Sequence, residues 1–174
     1  MNFYRTRADA AQLVGRSGQQ IGDYRTAIEN GRKSYAYGQM PAEAHSQTLT
    51  AAASAEMRIG SMLRAKALLE EAMAVAAKSE YPETDQLIIR ILLVHYYLYR
   101  DDLQTAKILL NQAKATWDKE QENRKYWEVF AWDELQSQIW AAEARLLVVS
   151  GKLDAGEVLY RKALENFREH KDIP

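Results

Sequence analysis

The chain has 174 residues, with 23 Lys and Arg against 24 Asp and Glu, and it contains no cysteine. This length fits one domain or a short array of small repeats, and 47% hydrophobic residues can build a folded core. The near-zero net charge argues against a dedicated nucleic-acid binder, and the missing cysteines exclude disulfides and thiolate metal sites. Because no stretch has the length and apolarity of a membrane span or a signal peptide, we expect a cytoplasmic protein without a membrane partner.

The predicted elements are helices throughout, since the chain has only 3 prolines and 8 glycines. Helix breakers divide it into segments of helical length at Gly22, 38–41, Gly60, 81–82, 101–102 and Gly151. Segment 86–99 is rich in β-branched and aromatic residues and could be mistaken for a buried strand. Its length and the lack of a partner strand favour a buried helix instead.

One short pattern recurs along the chain: a turn residue, a polar residue, a large apolar residue, two variable residues and a small one. The copies begin at Gly22, Gly60, Asp101 and Gly151 and end at the small residues Ala27, Ala65, Ala106 and Gly156. Seven residues further lie Ser34, Ala72, Ala113 and Ala163. The pattern predicts a tight turn between two antiparallel helices that pack closely through small residues. An ordinary helical bundle with small residues at its contacts is the alternative interpretation.

The residue types and spacing of this pattern resemble those of the tetratricopeptide repeat (TPR) family. The first copy offers Ala8, Gly15, 22–24 and Ala27, and the last offers Trp140, Ala144, Gly151 and Ala163. The resemblance implies an all-α, right-handed superhelix of about four antiparallel helical hairpins, a TPR-like α-solenoid. It implies a single domain over 1–174, with repeats at about 3–39, 41–80, 82–120 and 124–170. The lengthened repeats are similar to those in sensor domains of bacterial signal-responsive regulators.

The family resemblance also implies a concave groove for a protein or peptide, lined by the first helix of each hairpin. The groove positions are Asp9, Gln12, Arg16, Gln19, Gln47, Thr50, Ser54, Met57, Arg58, Ile88, Ile91, His95, Tyr99, Gln138 and Arg145. Arginines at one end, with His95 and Tyr99 further along, suit a peptide that carries an acidic group and an apolar anchor. Solubility or pairing within a helix is the alternative role of the arginines.

Chaperone-binding members of the family hold a terminal carboxylate with lysine and asparagine in the groove. Here the corresponding positions are Gln12, Arg16, Ala51, Ile88 and Leu92, so that clamp is absent. Binding of a chaperone tail is therefore disfavoured.

No pattern of catalytic or metal-binding residues is recognisable. The three histidines, His45, His95 and His170, lie on separate segments without the spacing of a metal site. Phosphate-loop, dinucleotide and nucleophile-elbow patterns are missing as well. We therefore expect a non-catalytic scaffold or sensor module without cofactor or metal. A small helical-bundle enzyme and a structural oligomerisation unit are the alternatives.

Two groups of apolar residues could serve packing or contact with a partner. The aromatic cluster comprises Trp117, Tyr126, Trp127, Phe130, Trp132 and Trp140, and its helical spacing favours packing for most members. The last helix carries Tyr160, Leu164 and Phe167 on one stripe. An exposed stripe of this kind predicts a homodimer through the C-terminal hairpin, or cover by a further helix of a longer protein.

Overall fold

The structure is a computed structural model that describes residues 3–121 and 129–169, without the side chains of 129–133. The described residues form α-helices and no strand. In chain order the helices are α1 (Phe3–Leu13), α2 (Ser17–Ala36), α3 (Ala42–Arg58), α4 (Met62–Ala76), α5 (Pro82–Tyr99), α6 (Leu103–Glu120), α7 (Val129–Val149) and α8 (Leu153–Glu169). The all-α prediction is confirmed, and segment 86–99 is helical within α5, as predicted.

Five of the connections between helices share one backbone conformation. Each helix is followed by a residue with positive φ, and these residues are Gly15 (71°), Gly38 (67°), Gly60 (81°), Asp101 (61°) and Gly151 (81°). The next residue donates its N–H to a carbonyl five residues back, as in Ser61 to Glu56 at 2.8 Å and Lys152 to Leu147 at 2.9 Å. This is the Schellman ending, in which a left-handed residue satisfies carbonyls that the helix leaves free. It reverses the chain within two or three residues.

The predicted first turn at Gly22 is wrong, because Gly22 lies inside α2. The turn is at Gly15, seven residues earlier. With this correction Ala27 is the equivalent of Ala72, not of Ala65, and the position of Ala65 is taken by the buried Gln20. Ser34 is consequently not the equivalent of Ala72, Ala113 and Ala163 that the pattern predicts.

The chain divides into two compact units, Met1–Ile89 and Arg90–Pro174, and the boundary falls inside α5. In the first unit α1 packs on α2, α2 on α3 and α3 on α4. Alanine is the commonest buried residue of both α3 and α4. The Arg7 guanidinium links α1 to α2, since its Nε donates to Asp23 Oδ2 at 2.7 Å. Organisation as one domain over 1–174 stays a prediction.

In the second unit α7 packs on α6 and α8. The α7–α8 contact depends on Gly156, where an added Cβ would lie 2.6 Å from Val148 Cγ2 and 2.9 Å from the Ala144 carbonyl oxygen. Any side chain there would push the two helices apart. Within 3–121 and 129–169, no helix combines the length and apolarity that a membrane crossing requires.

The predicted aromatic cluster is described only in part. Trp117 is buried in the second unit, and Trp140 is half-buried with the Lys162 ammonium 4.0 Å from its ring centroid. Trp117 therefore serves packing, as its spacing predicts. Tyr126 and Trp127, and the side chains of Phe130 and Trp132, lie outside the described residues.

Candidate functional site

The predicted groove residues of α1 and α3 meet at the C-terminal ends of these helices. Arg58 is the centre of the group: it donates to Gln12 Oε1 at 3.1 Å and to Ser54 Oγ at 3.1 Å. Gln12 Oε1 also accepts from Gln20 at 2.9 Å. The structure therefore brings Gln12, Ser54 and Arg58 together, although 46 residues separate Gln12 from Arg58 in sequence.

The other predicted positions of the first unit are distributed over α1, α2, α3 and the beginning of α5. Asp9 accepts a hydrogen bond from the Tyr24 hydroxyl, and burial together with this carboxylate raises the pKa of Tyr24. Gln47 is exposed and donates to Glu43 at 3.4 Å. The prediction that Arg16 and Gln19 lie on the first helix is wrong, because α1 ends at Leu13; Arg16 precedes α2, Gln19 lies on α2, and both are exposed. Thr50, Met57 and Ile88 are half-buried.

Two of the predicted groove positions in the first unit are arginines that form no ion pair with a described residue. Arg7, Arg25 and Arg32 each form an ion pair with a carboxylate. Arg16 and Arg58, in contrast, form no ion pair with any residue in the described part of the chain. Their guanidinium groups are thus available to an acidic ligand, because a guanidinium binds carboxylates through paired hydrogen bonds.

The predicted groove residues of the second unit include a buried imidazole beside a cation. Burial lowers the pKa of His95 to about 4, and the nearby Arg145 adds to the shift. Gln138 donates to Glu134 at 3.4 Å, and Tyr99 is 58% exposed. Ile91 is only 1% exposed, so its side chain has no free surface for a ligand.

A cavity of about 240 Å³ lies among α2, α3 and α4 in the first unit. Ile21, Ile28 and Leu68 form its apolar wall, and the small side chains of Ala52 and Ala67 leave the space open. The polar lining comprises Tyr24, Arg25, Glu29, Arg32, Glu56 and Arg64. None of the predicted groove residues lines it, so the cavity is a separate site.

Glu56 is the buried charge of this cavity. Glu56 is 3% exposed, its Oε1 accepts from Arg25 at 3.1 Å, and its buried Oε2 has no hydrogen-bond partner among the described residues. Sequence reasoning missed this residue. A signal was present, since Glu56 follows Ala52 and Ala53 at four and three residues and therefore falls on the apolar face of α3.

The stripe predicted on the last helix is largely exposed within the described chain. Tyr160 is 41% and Leu164 is 49% exposed, and Leu153 extends the same side of α8 with 62% exposure. Phe167 is half-buried. The side of α8 that contacts α7 carries the buried Gly156 and Ala163 instead.

Among the described residues, no cluster of His, Asp and Glu could hold a metal ion. Comparison of the chain with protein-family models, curated proteins and solved structures gives no match.

Proposed function

We propose that the protein is a non-catalytic scaffold or sensor module that binds a protein or peptide segment on the face formed by its first helices. The helix pairs stack as a TPR-like right-handed superhelix of about four hairpins, and α1, α3, α5 and α7 line the concave face. The observation that carries this proposal is the Schellman turn that recurs four times with a buried alanine twelve residues after its left-handed residue; the turn at Gly38, between α2 and α3, lacks this alanine. These alanines are Ala27, Ala72, Ala113 and Ala163. Copies that repeat in both backbone and packing support a stacked array.

The preferred ligand is an extended segment with an acidic side chain or terminus and an apolar anchor. Arg16, in the turn before α2, and Arg58 on α3 supply cations that form no ion pair with a described residue, and Gln12 and Ser54 add polar groups beside Arg58. Arg145 and the exposed ring of Tyr99 supply a second cation and an apolar surface in the other unit. Charge pairing determines which segments bind, and the apolar anchor adds affinity.

A random peptide library displayed on phage tests this proposal. Selection on the wild-type chain is expected to enrich peptides that contain Asp or Glu next to large apolar residues. Selection on Arg58→Glu is expected to lose that acidic enrichment, because the substitution reverses the charge that the carboxylate meets. The binding of a selected peptide should weaken as salt is added.

Lys33→Glu is the matched control, since Lys33 is an exposed cation of α2 outside the predicted groove. This variant is expected to select the same peptides as the wild type. Acidic enrichment that persists in Arg58→Glu, or that disappears equally in Lys33→Glu, would contradict the proposal.

We propose a second property, self-association through α8, because its exposed apolar stripe is flanked by charges of alternating sign. Exposed Glu157, Arg161, Glu165 and Arg168 follow one side of the stripe. When two copies of α8 pair in antiparallel orientation, each acid meets a base of the other copy, as a two-fold interface requires. Burial of Tyr160 and Leu164 supplies the apolar gain. The occupant of the stripe is therefore a second copy of this chain.

A further inference from the structure

The turn between α1 and α2 and the turn between α3 and α4 lie at the same end of the first unit, because Gln12 and Arg58 are joined by a hydrogen bond of 3.1 Å. We call this end the turn edge, and it comprises residues 12–19 and 57–64. Large apolar side chains are exposed in both of its turns: Leu13 is 87%, Val14 66%, Ile59 50% and Leu63 83% exposed. Exposed apolar residues that concentrate at one end of a unit indicate a surface that another molecule covers.

The charge of the turn edge is positive. Arg16, Arg58 and Arg64 belong to it, and none of them forms an ion pair with a described residue. Neither of its two segments contains Asp or Glu. A chain with a net charge of -1 thus has a local excess of positive charge beside exposed apolar side chains.

The three carboxylates closest in sequence to the turn edge do not cancel this charge. Asp23 is paired with Arg7. Glu56 is paired with Arg25. Asp9 forms no ion pair with a described residue, so one free carboxylate stands against three free guanidinium groups.

We propose that the turn edge docks on an anionic lipid bilayer, with the apolar side chains of both turns in the interface and the three arginines on the headgroups. Leu13 and Leu63 expose more than four-fifths of their surface, so no neighbouring side chains form a pocket around them for a peptide anchor. A bilayer takes up projecting apolar side chains, and its anionic lipids attract arginine. A second copy of the same edge is a poor occupant, because its arginines would repel those of the first.

Docking on a membrane surface requires no membrane-spanning helix. The expectation of a protein without a membrane partner rests on the lack of a span and of a signal peptide, so it does not apply to this surface. The proposal goes beyond the peptide-binding function, which uses Arg16 and Arg58 but not Leu13, Leu63 or Arg64. Substitutions at the last three residues therefore test the membrane proposal separately.

Co-sedimentation of the full chain with lipid vesicles tests the proposal. Vesicles of phosphatidylcholine and phosphatidylserine in equal amounts should bind the wild type, and vesicles of phosphatidylcholine alone should bind it about tenfold more weakly or less. Added salt should release the chain from the mixed vesicles. Failure to bind the mixed vesicles, or equal binding to both compositions, would overturn the proposal.

Two variants locate the contact. Leu13→Ser removes an apolar side chain and should lower the affinity for mixed vesicles about tenfold. Arg64→Glu reverses one charge and should lower it about fivefold or more. The matched controls change exposed residues at the opposite ends of α2 and α4: Tyr37→Ser, where the wild-type ring is 79% exposed, and Lys78→Glu. Both should bind like the wild type, and the melting temperatures of all four variants check their folding.

Unchanged vesicle binding in Leu13→Ser or Arg64→Glu would place the contact elsewhere and overturn the proposal, as would an equal loss in the matched controls. Binding of a selected acidic peptide serves as the second measurement on Leu13→Ser and should equal that of the wild type. Loss of peptide binding in this variant, together with unchanged vesicle binding, would assign the turn edge to the peptide and overturn the membrane proposal.

Discussion

The glycines within the helices differ in the room that surrounds them. At Gly156 an added Cβ would meet Val148 Cγ2 at 2.6 Å and the Ala144 carbonyl oxygen at 2.9 Å, closer than real Cβ contacts. At Gly22 nothing lies within 4 Å of the added atom. The first glycine is thus required by packing, whereas the second only weakens its helix.

We predict that Gly156→Ala lowers the free energy of unfolding by about 1–3 kcal/mol, because α8 must move away from α7. Gly22→Ala should instead raise it by about 0.5–1 kcal/mol through the higher helix propensity of alanine. Denaturant unfolding of both variants measures this. A destabilised Gly22→Ala would mean that position 22 requires glycine after all, as the sequence pattern suggested.

His95 makes the stability of the protein depend on pH. Burial lowers its pKa to about 4, whereas a histidine in the unfolded chain titrates near 6.5. Between these pH values the unfolded chain binds the extra proton. The free energy of unfolding is therefore highest above pH 6.5. It decreases by about 2–4 kcal/mol in total as the pH falls towards 4.

The His95→Gln variant should lack this loss. The difference in unfolding free energy between wild type and variant is expected to change by about 2–4 kcal/mol from pH 7 to pH 4. Burial also lowers the pKa of His45. Because His45 is present in both proteins, its contribution cancels in the difference. Parallel pH profiles of the two proteins would show that His95 is solvated in the folded state.

At the scale of the elements, a residue in the left-handed conformation is common to five of the connections between helices. Gly60 has a φ of 81°, which alanine adopts at a cost of about 1–2 kcal/mol. Gly60→Ala should therefore destabilise the protein by that amount. Asp101 adopts 61° as a non-glycine residue, so Asp101→Gly should stabilise by up to about 1 kcal/mol. Thermal unfolding of the two variants should thus shift in opposite directions. A shift in the same direction would contradict the equivalence of these turns.

The sequence predicts the helices well because their breakers are few and local. Gly60, Asp101 and Gly151 end helices where the pattern predicts, since a left-handed residue and the bond that closes on it involve neighbours only. The predicted position of the turn between α1 and α2 is wrong for a physical reason. Gly15 and Gly22 are seven residues apart, about two helical turns, so both positions fit the same face and pattern alone does not distinguish them.

The candidate sites depend on contacts that a periodic pattern does not contain. Arg58 was predicted as a surface arginine of the groove, but its bond to Gln12 depends on how α1 and α3 approach each other. The cavity beside Glu56 requires three helices and the small side chains of Ala52 and Ala67 at once. The burial of Ile91 likewise follows from packing, not from its position on the helix.

For the whole molecule, self-association through α8 is tested by sedimentation. We predict a dimer for the wild type and a monomer for Leu164→Glu, because two buried carboxylates would face each other or their apolar neighbours. Leu63→Glu is the matched control, since Leu63 is 83% exposed on α4 and lies outside the stripe. It should remain dimeric. A monomeric wild type, or equal dissociation of both variants, would contradict the pairing of α8.

The central claim is that the first helices of the pairs form the binding face for an acidic peptide. Backbone amide chemical shifts, recorded on the full chain during titration with a selected acidic peptide, test it most directly. We predict that the shifts concentrate at the C-terminal ends of α1 and α3, around Gln12, Ser54 and Arg58, while the amide of Leu68 at the cavity stays unchanged. Shifts confined to α2 and α4, or shifts that leave both α1 and α3 unaffected, would contradict the claim.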